Sequence, residues 1–324
     1  MVIISLLAAV IPVSLYLIWL RKADKYDKEP VRLYLKNFAW GSLGAVFFTL
    51  IGSALVSSFL SGFIASEAVS DLADTVFVAP VVEEFMKGVF LFSTIGKRDF
   101  DNMTDGLVYG GAIGLGFGMT ENFLYFLGAS SGAEWVFLVI TRTLFSCVMH
   151  FISTAVFGAF LGISKFKGSS LKYTLAMTGY LLAILIHFTW NSAVVVEESV
   201  WLGPLFMIGS VYLFRALFRY SINQEYKLIN RELQEESALG YFPAFLLPVV
   251  LLEKPASYFS LDAETAKGLK QNGVKLAFRK EQIKFSQGKA AEQQLAEIGD
   301  LRKWFLETFP PEESAGLKEE KSAL

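Results

Sequence analysis

The chain has 324 residues, 53% of them hydrophobic, with a formal net charge of −2 at pH 7. So small a charge gives no electrostatic case for nucleic acid, and the apolar share exceeds that of an ordinary soluble domain. The single cysteine, Cys147, excludes an intrachain disulfide and leaves the redox compartment unreadable.

The apolar residues come in blocks, and a membrane span needs about 20 of them. In chain order seven such segments stand out: Val2–Leu20, Phe38–Ile64, Thr75–Ile95, Gly106–Leu127, Trp135–Ile163, Tyr173–Val196 and Val200–Leu217. The first lacks a basic leading region and a small-x-small cleavage site, so it reads as a span rather than a signal peptide. The expected fold class is therefore all-α, a polytopic membrane helix bundle. Residues 1–217 form the expected membrane-embedded domain and 218–324 a small, mainly helical cytoplasmic region.

Loop charge sets the orientation. Arg21 to Lys36 carries six basic residues, the loop Ala65–Asp74 none, and the third loop has Lys97 and Arg98. Gly128–Glu134 has none, the fifth loop has Lys165, Lys167 and Lys172, and the sixth offers only Glu197 and Glu198. Arg219 and Lys227 follow the last span. This alternation puts the N-terminus outside and the C-terminus in the cytoplasm. Beyond Phe218 the chain turns polar. Tyr241–Leu252 is too short to cross, and Pro243 and Pro248 interrupt it; it suits the membrane interface or the core of a small domain. Ala291–Phe309 reads as an amphipathic helix on Leu295, Ile298, Leu301 and Phe305, ended by Pro310-Pro311.

Within the spans lie groups that hydrocarbon disfavours. An ionisable side chain near the bilayer centre costs at least ~2.5–3.5 kcal/mol, so a cluster of them marks a functional site. The third span holds Pro80-Val-Val-Glu83-Glu84-Phe-Met-Lys87. At ~100° per residue Glu83 and Lys87 share a helix face while Glu84 points about 100° away. Pro80 lacks an N–H, so a kink is expected one turn before the glutamates. A buried Glu83–Lys87 pair locking two helices is the purely structural alternative.

The fourth span carries glycines at 106, 110, 114 and 118, a stripe that lets another helix approach closely, with Glu121-Asn122 at its end. Arg142, Cys147 and His150 lie in the fifth span. His187 and Asn191, four apart on one face, lie in the sixth. At 1.5 Å per residue Glu83 sits about nine residues, ~13 Å, from the outer end of its span. Glu121, His150 and His187 also fall between the midplane and the outer half, so one shared site is expected. Peptide hydrolysis needs a base for water and donors for the tetrahedral oxygen. Glutamate can be that base, while Asn191 and His187 can donate. Ser146, one turn before His150, is a weaker nucleophile candidate because it leaves the glutamates idle.

The set Ala79-Pro80-x-x-Glu83-Glu84-x-x-Lys87, Asp105-x-x-x-Tyr109-Gly110, Gly116-Phe117-x-x-x-Glu121-Asn122-x-x-Tyr125, His150 and His187-x-x-Trp190-Asn191 resembles the motifs of the PrsW family from about Glu29 to Ser192. That family consists of membrane endopeptidases of the glutamic intramembrane protease group, which includes the CAAX prenyl endopeptidases; in the CAAX branch an arginine replaces the motif's lysine. The resemblance implies site-1 type cleavage of a membrane-anchored protein, such as an anti-sigma factor, in the cell membrane of a prokaryote. By the same analogy Glu83 and His150 activate water, His187 and Asn191 hold the oxyanion, and Glu84 is the second family glutamate. Lys87, Glu121, Asn122 and Arg142 support them, and no cofactor is expected.

Three alternatives stay open. A zinc protease would use Glu83, His150 and His187 as ligands, although the two-histidine helix motif of zinc proteases is absent. A proton-coupled transporter would use the Glu/His chain as a relay. In a polytopic scaffold the cluster would serve assembly alone.

Overall fold

A computed structural model describes residues 1–64, 66–195 and 200–310. Glu197, Glu198, Pro311 and the expected end of the sixth span at Val196 lie outside the described residues. The chain divides into two compact units, one of Met1–Asp24 and Lys28–Arg219, the other of Lys25–Asp27 and Tyr220–Leu324.

The first unit is a helix bundle with no strand among its described residues. Its helices are α1 (Val2–Ala23), α2 (Val31–Ser61), α3 (67–95), α4 (Met103–Gly128), α5 (Gly132–Ser164), α6 (Ser169–Val195) and α7 (Leu202–Ala238), which carries over into the second unit. Five of them, α1, α2, α5, α6 and α7, are long and apolar enough to cross a membrane. The other two carry the charges singled out above, Glu83, Glu84 and Lys87 in α3 and Asp105 and Glu121 in α4. Exposed Leu15, Phe47, Leu55, Leu181 and Leu205 present apolar surface on the outer helices. The molecule is a helical membrane bundle.

α4 forms the centre, buried almost continuously from Thr104 to Gly118. It starts on a capping box: the Asn102 side chain accepts from the Thr104 and Asp105 N–H groups, while Asp105 accepts from the Asn102 N–H at 3.0 Å. Asp105 and Tyr109 thus have structural duties, since the Tyr109 hydroxyl donates to Glu29 in the loop before α2. Burial, and after it the neighbouring Asp105 carboxylate, push the Glu29 carboxyl well above the usual range.

The glycine stripe fixes how α4 meets α5. A Cβ at Gly106, Gly110 or Gly114 would collide with the backbone carbonyl of Gly158, Thr154 or His150 respectively, and one at Gly118 would lie 3.0 Å from the Cys147 Cα. The two backbones therefore touch over three turns, which only glycine permits. Gly41 on α2 meets the Ile113 carbonyl in the same way.

Among the described residues three helices contain a π-wound turn: Trp40–Ala45 in α2, Asp74–Val78 in α3 and Arg142–Ser146 in α5. The turn in α3 stands where Pro80 was expected to impose a kink. Pro80 falls in the first turn of the α-helical stretch Ala79–Ile95, and the wider turn before it accommodates the missing donor.

The second unit packs α8 (Ala263–Ile283) and α9 (Lys289–Thr308) with the end of α7 around Leu233, Leu246, Val250, Leu276 and Phe305. Leu246, Val249 and Val250 of the short apolar run belong to this core. Leu295, expected on the buried face of α9, is 59% exposed, whereas Ile298, Leu301 and Phe305 are buried. α7 continues well past Leu217 because its polar residues remain good helix formers until Gly240, whose φ of +81° takes the chain out. Buried Glu232 and Glu236 bind Lys284 at 2.7 Å and Arg302 at 2.7 Å.

Gly110→Val and Gly114→Val are expected to destabilise the bundle by at least ~1–3 kcal/mol through overpacking. Gly209→Ala, at a site with open space around it, should leave the melting temperature in detergent unchanged or slightly raised.

Candidate active site

Four helices bring their polar groups to one place. Glu83, Glu84 and Lys87 come from α3, Glu121 and Asn122 from α4, Arg142 and His150 from α5, and His187 from α6. Lys87 stands at the middle. Its Nζ donates to Glu84 Oε1 at 2.8 Å, to His150 Nδ1 at 2.9 Å and to Glu83 Oε2 at 3.4 Å, and it lies 4.0 Å above the Phe117 ring. The closer partner is thus Glu84 rather than Glu83. Residues three apart on a helix lie ~60° from each other, and a lysine stem long enough to span that angle reaches both carboxylates.

The two adjacent glutamates live in different surroundings. Glu84 is fully buried and saturated, accepting from Lys87, from His187 Nδ1 at 3.0 Å, from Ser153 Oγ at 3.0 Å and from Thr154 Oγ1 at 3.2 Å. The Glu83 side chain keeps 10% exposure and lines an open cavity of about 820 Å³ together with Glu121, His150, His187 and Asn191. Its Oε2 lies 3.8 Å from His187 Nε2 and 3.9 Å from His150 Nδ1.

The hydrogen-bond partners assign the imidazole protons. An ammonium can only donate, so His150 Nδ1 accepts from Lys87 and the ring proton sits on Nε2, which donates to Glu121 Oε2 at 2.6 Å. His187 donates from Nδ1 to Glu84 and turns Nε2 toward Glu83. With both nitrogens of His150 engaged, Ser146 has no base there, although it too lines the cavity.

Arg142 closes the far side. It binds Glu121 Oε2 at 2.8 Å, donates to Asn122 Oδ1 at 3.2 Å and covers the Tyr125 ring at 3.5 Å. Arg142 and His150 are eight residues apart, which in a plain α-helix separates them by ~80°. The π turn between them absorbs one residue, ~100°, and brings both onto the face that meets Glu121. Asn191 lines the cavity while its amide donates to the Thr75 carbonyl at 2.8 Å. One N–H of that amide remains for other use.

Ser153 and Thr154 escaped the sequence reading. They follow His150 by three and four residues, and that spacing was the available signal that they share its face.

A helical membrane bundle that gathers two glutamates and two histidines against an open cavity is built as a membrane-embedded hydrolase. Residues 29–218 match the model of a family described as "PrsW family intramembrane metalloprotease". The chain is 32% identical over 185 residues to the Protease PrsW of Oceanobacillus iheyensis, covering 57% of this chain and 80% of the relative. It is 28% identical over 212 residues to the Protease PrsW of Clostridioides difficile, covering 64% and 86%. Against that of Bacillus subtilis it is 28% identical over 169 residues, covering 52% and 72%. No solved structure matches. The chain belongs to the PrsW family, and it is a membrane protease.

The metal in the family's description can be tested on the donor set. Glu83, His150 and His187 are the right residue types for zinc, and their ligand atoms lie within 4.8 Å of one another. The Lys87 ammonium engages His150 Nδ1 at 2.9 Å and Glu83 at 3.4 Å, so a divalent ion would compete with a buried cation for two of its three ligands. The contacts of His150 Nε2 with Glu121 and of His187 Nδ1 with Glu84 are ones that metal-bound histidines also make.

Removing one donor from Glu84 leaves a buried carboxylate short of a partner. Ser153→Ala and Thr154→Val should each lower stability by ~1–3 kcal/mol, read as a drop in detergent melting temperature.

Proposed function

We propose that this protein is a glutamic-type intramembrane endopeptidase in which Glu83 activates the attacking water. The observation that carries this reading is the unequal setting of the two glutamates: Glu84 is saturated, whereas Glu83 meets the cavity beside two histidines. A water at the usual ~2.8 Å from Glu83 Oε2 and from His187 Nε2 bridges the gap between them. Glu83 takes a proton from that water, hydroxide attacks the peptide carbonyl, and Glu83 returns the proton to the leaving nitrogen.

His150, with both ring nitrogens engaged by Lys87 and Glu121, walls the other flank of the water without bonding it. The second N–H of Asn191 donates to the oxyanion. Glu84 accepts from His187 Nδ1 and so holds Nε2 toward the water, acting as a positioning residue. Lys87 and Arg142 hold the two carboxylate clusters in place, Arg142 through Glu121 and Asn122. No metal takes part.

The substrate under this reading is a membrane-anchored protein cut in the manner of site-1 cleavage, an anti-sigma factor being the case suggested by the family resemblance. The family resemblance supports a bacterial cytoplasmic membrane location, and loop charge supports the N-terminus outside with the tail inside.

Glu83→Gln should reduce cleavage of a membrane substrate by at least ~10²–10⁴ while the protein stays monodisperse. His187→Ala should behave similarly, and wild-type turnover by Glu83→Gln would overturn the assignment. Cleavage by the purified protein should persist in a strong zinc chelator, whereas loss restored by added zinc would revive the metalloprotease alternative.

A further inference from the structure

Four charged groups line the cavity: Asp74, Glu83, Glu121 and Arg142. Three of them are paired, Glu83 with Lys87 and Glu121 with Arg142. Asp74 differs. It is half-buried, and its one partner among the described residues is Ser57, whose hydroxyl donates to Oδ1 at 2.7 Å. The hydroxyl fixes the carboxylate while Oδ2 stays available to the cavity.

The π turn Asp74–Val78 gives this placement its reason. Nine residues separate Asp74 from Glu83, and in a plain α-helix they would stand on opposite faces, ~180° apart. The residue absorbed by the wider turn reduces that angle to ~80°, so both side chains reach one cavity. Asn191 donates to the carbonyl of Thr75 within the same turn, which ties the wall carrying Asp74 to the wall carrying His187.

A peptide that fills the cavity displaces the water solvating Asp74. A carboxylate desolvated without a counter-charge is costly, so the occupant has to supply a cation. We propose that Asp74 forms a specificity subsite for a basic side chain of the substrate. The distance along α3 sets its place. Nine residues at the helical rise span ~13 Å, the length of about four residues of extended peptide at ~3.3 Å each. The preferred substrate carries lysine or arginine about four residues from the bond that is cut. This inference rests on the proposed catalytic role of Glu83 and adds a recognition element to it.

The test uses the full-length protein in detergent and synthetic single-span peptides with one lysine stepped through the six positions on each side of the cut. Cleavage by wild type should be roughly tenfold better in kcat/KM with lysine about four residues away. The gain should lie in KM, since Asp74 touches no reacting atom. Asp74→Asn keeps the Ser57 contact and should lose the preference while cleaving neutral peptides normally. Asp74→Lys should turn the preference toward glutamate at that position. Binding of the same peptides to Glu83→Gln reads the subsite without turnover, and there lysine should again bind about tenfold tighter. A wild-type protein indifferent to the lysine, or an Asp74→Asn variant that still prefers it, would overturn the subsite. Normal cleavage by Glu83→Gln would instead strike the catalytic reading, with the binding arm still judging Asp74.

Discussion

The site depends on one buried ammonium. Two adjacent carboxylates inside a membrane bundle repel each other strongly, because the low dielectric that weakens hydration also strengthens like-charge repulsion. Lys87, fully buried, offsets that repulsion by bonding both glutamates and the His150 ring from one helix. The hydroxyls of Ser153 and Thr154 complete the shell around Glu84. Glu83 can then remain at the cavity wall with a single long contact to Lys87. An identical pair of residues in sequence is divided into one anchored group and one accessible group.

Backbone geometry supports this charge arrangement. The glycine stripe of α4 lets α5 pack at backbone distance, and the glycine at 114 does so against the carbonyl of His150 itself. A bulkier residue there would push the imidazole away from Lys87 and Glu121. The π turns in α3 and α5 rotate the ends of their helices relative to each other. Each lets residues on both sides of the turn face the same cavity, which uninterrupted α-helix would prevent.

Much of the fold was legible because hydrocarbon tolerates few polar groups. Glutamates and histidines in otherwise apolar segments could be singled out, and the four-residue glycine step announced a close helix contact. The finer geometry was not legible. Angles of ~40° and ~60° on a helix both lie within reach of a lysine side chain, so the spacing could not decide between Glu83 and Glu84 as its nearer partner. The π turns have no residue signature of their own, and Pro80 suggested a kink where the helix widens instead. Ser153 and Thr154 are ordinary small residues until His150 gives their face a meaning. In the tail, apolar spacing alone placed Leu295 inside, whereas packing of α9 buries only the turns that follow it.

A double-mutant cycle between Glu84 and Lys87 tests the central claim most directly, read as unfolding free energy of the purified protein in detergent. Glu84→Gln and Lys87→Met should each cost ~3–5 kcal/mol by stranding the other's charge, and the double variant should lose clearly less than the sum. Additive losses would mean that the ammonium does not hold the glutamate pair together.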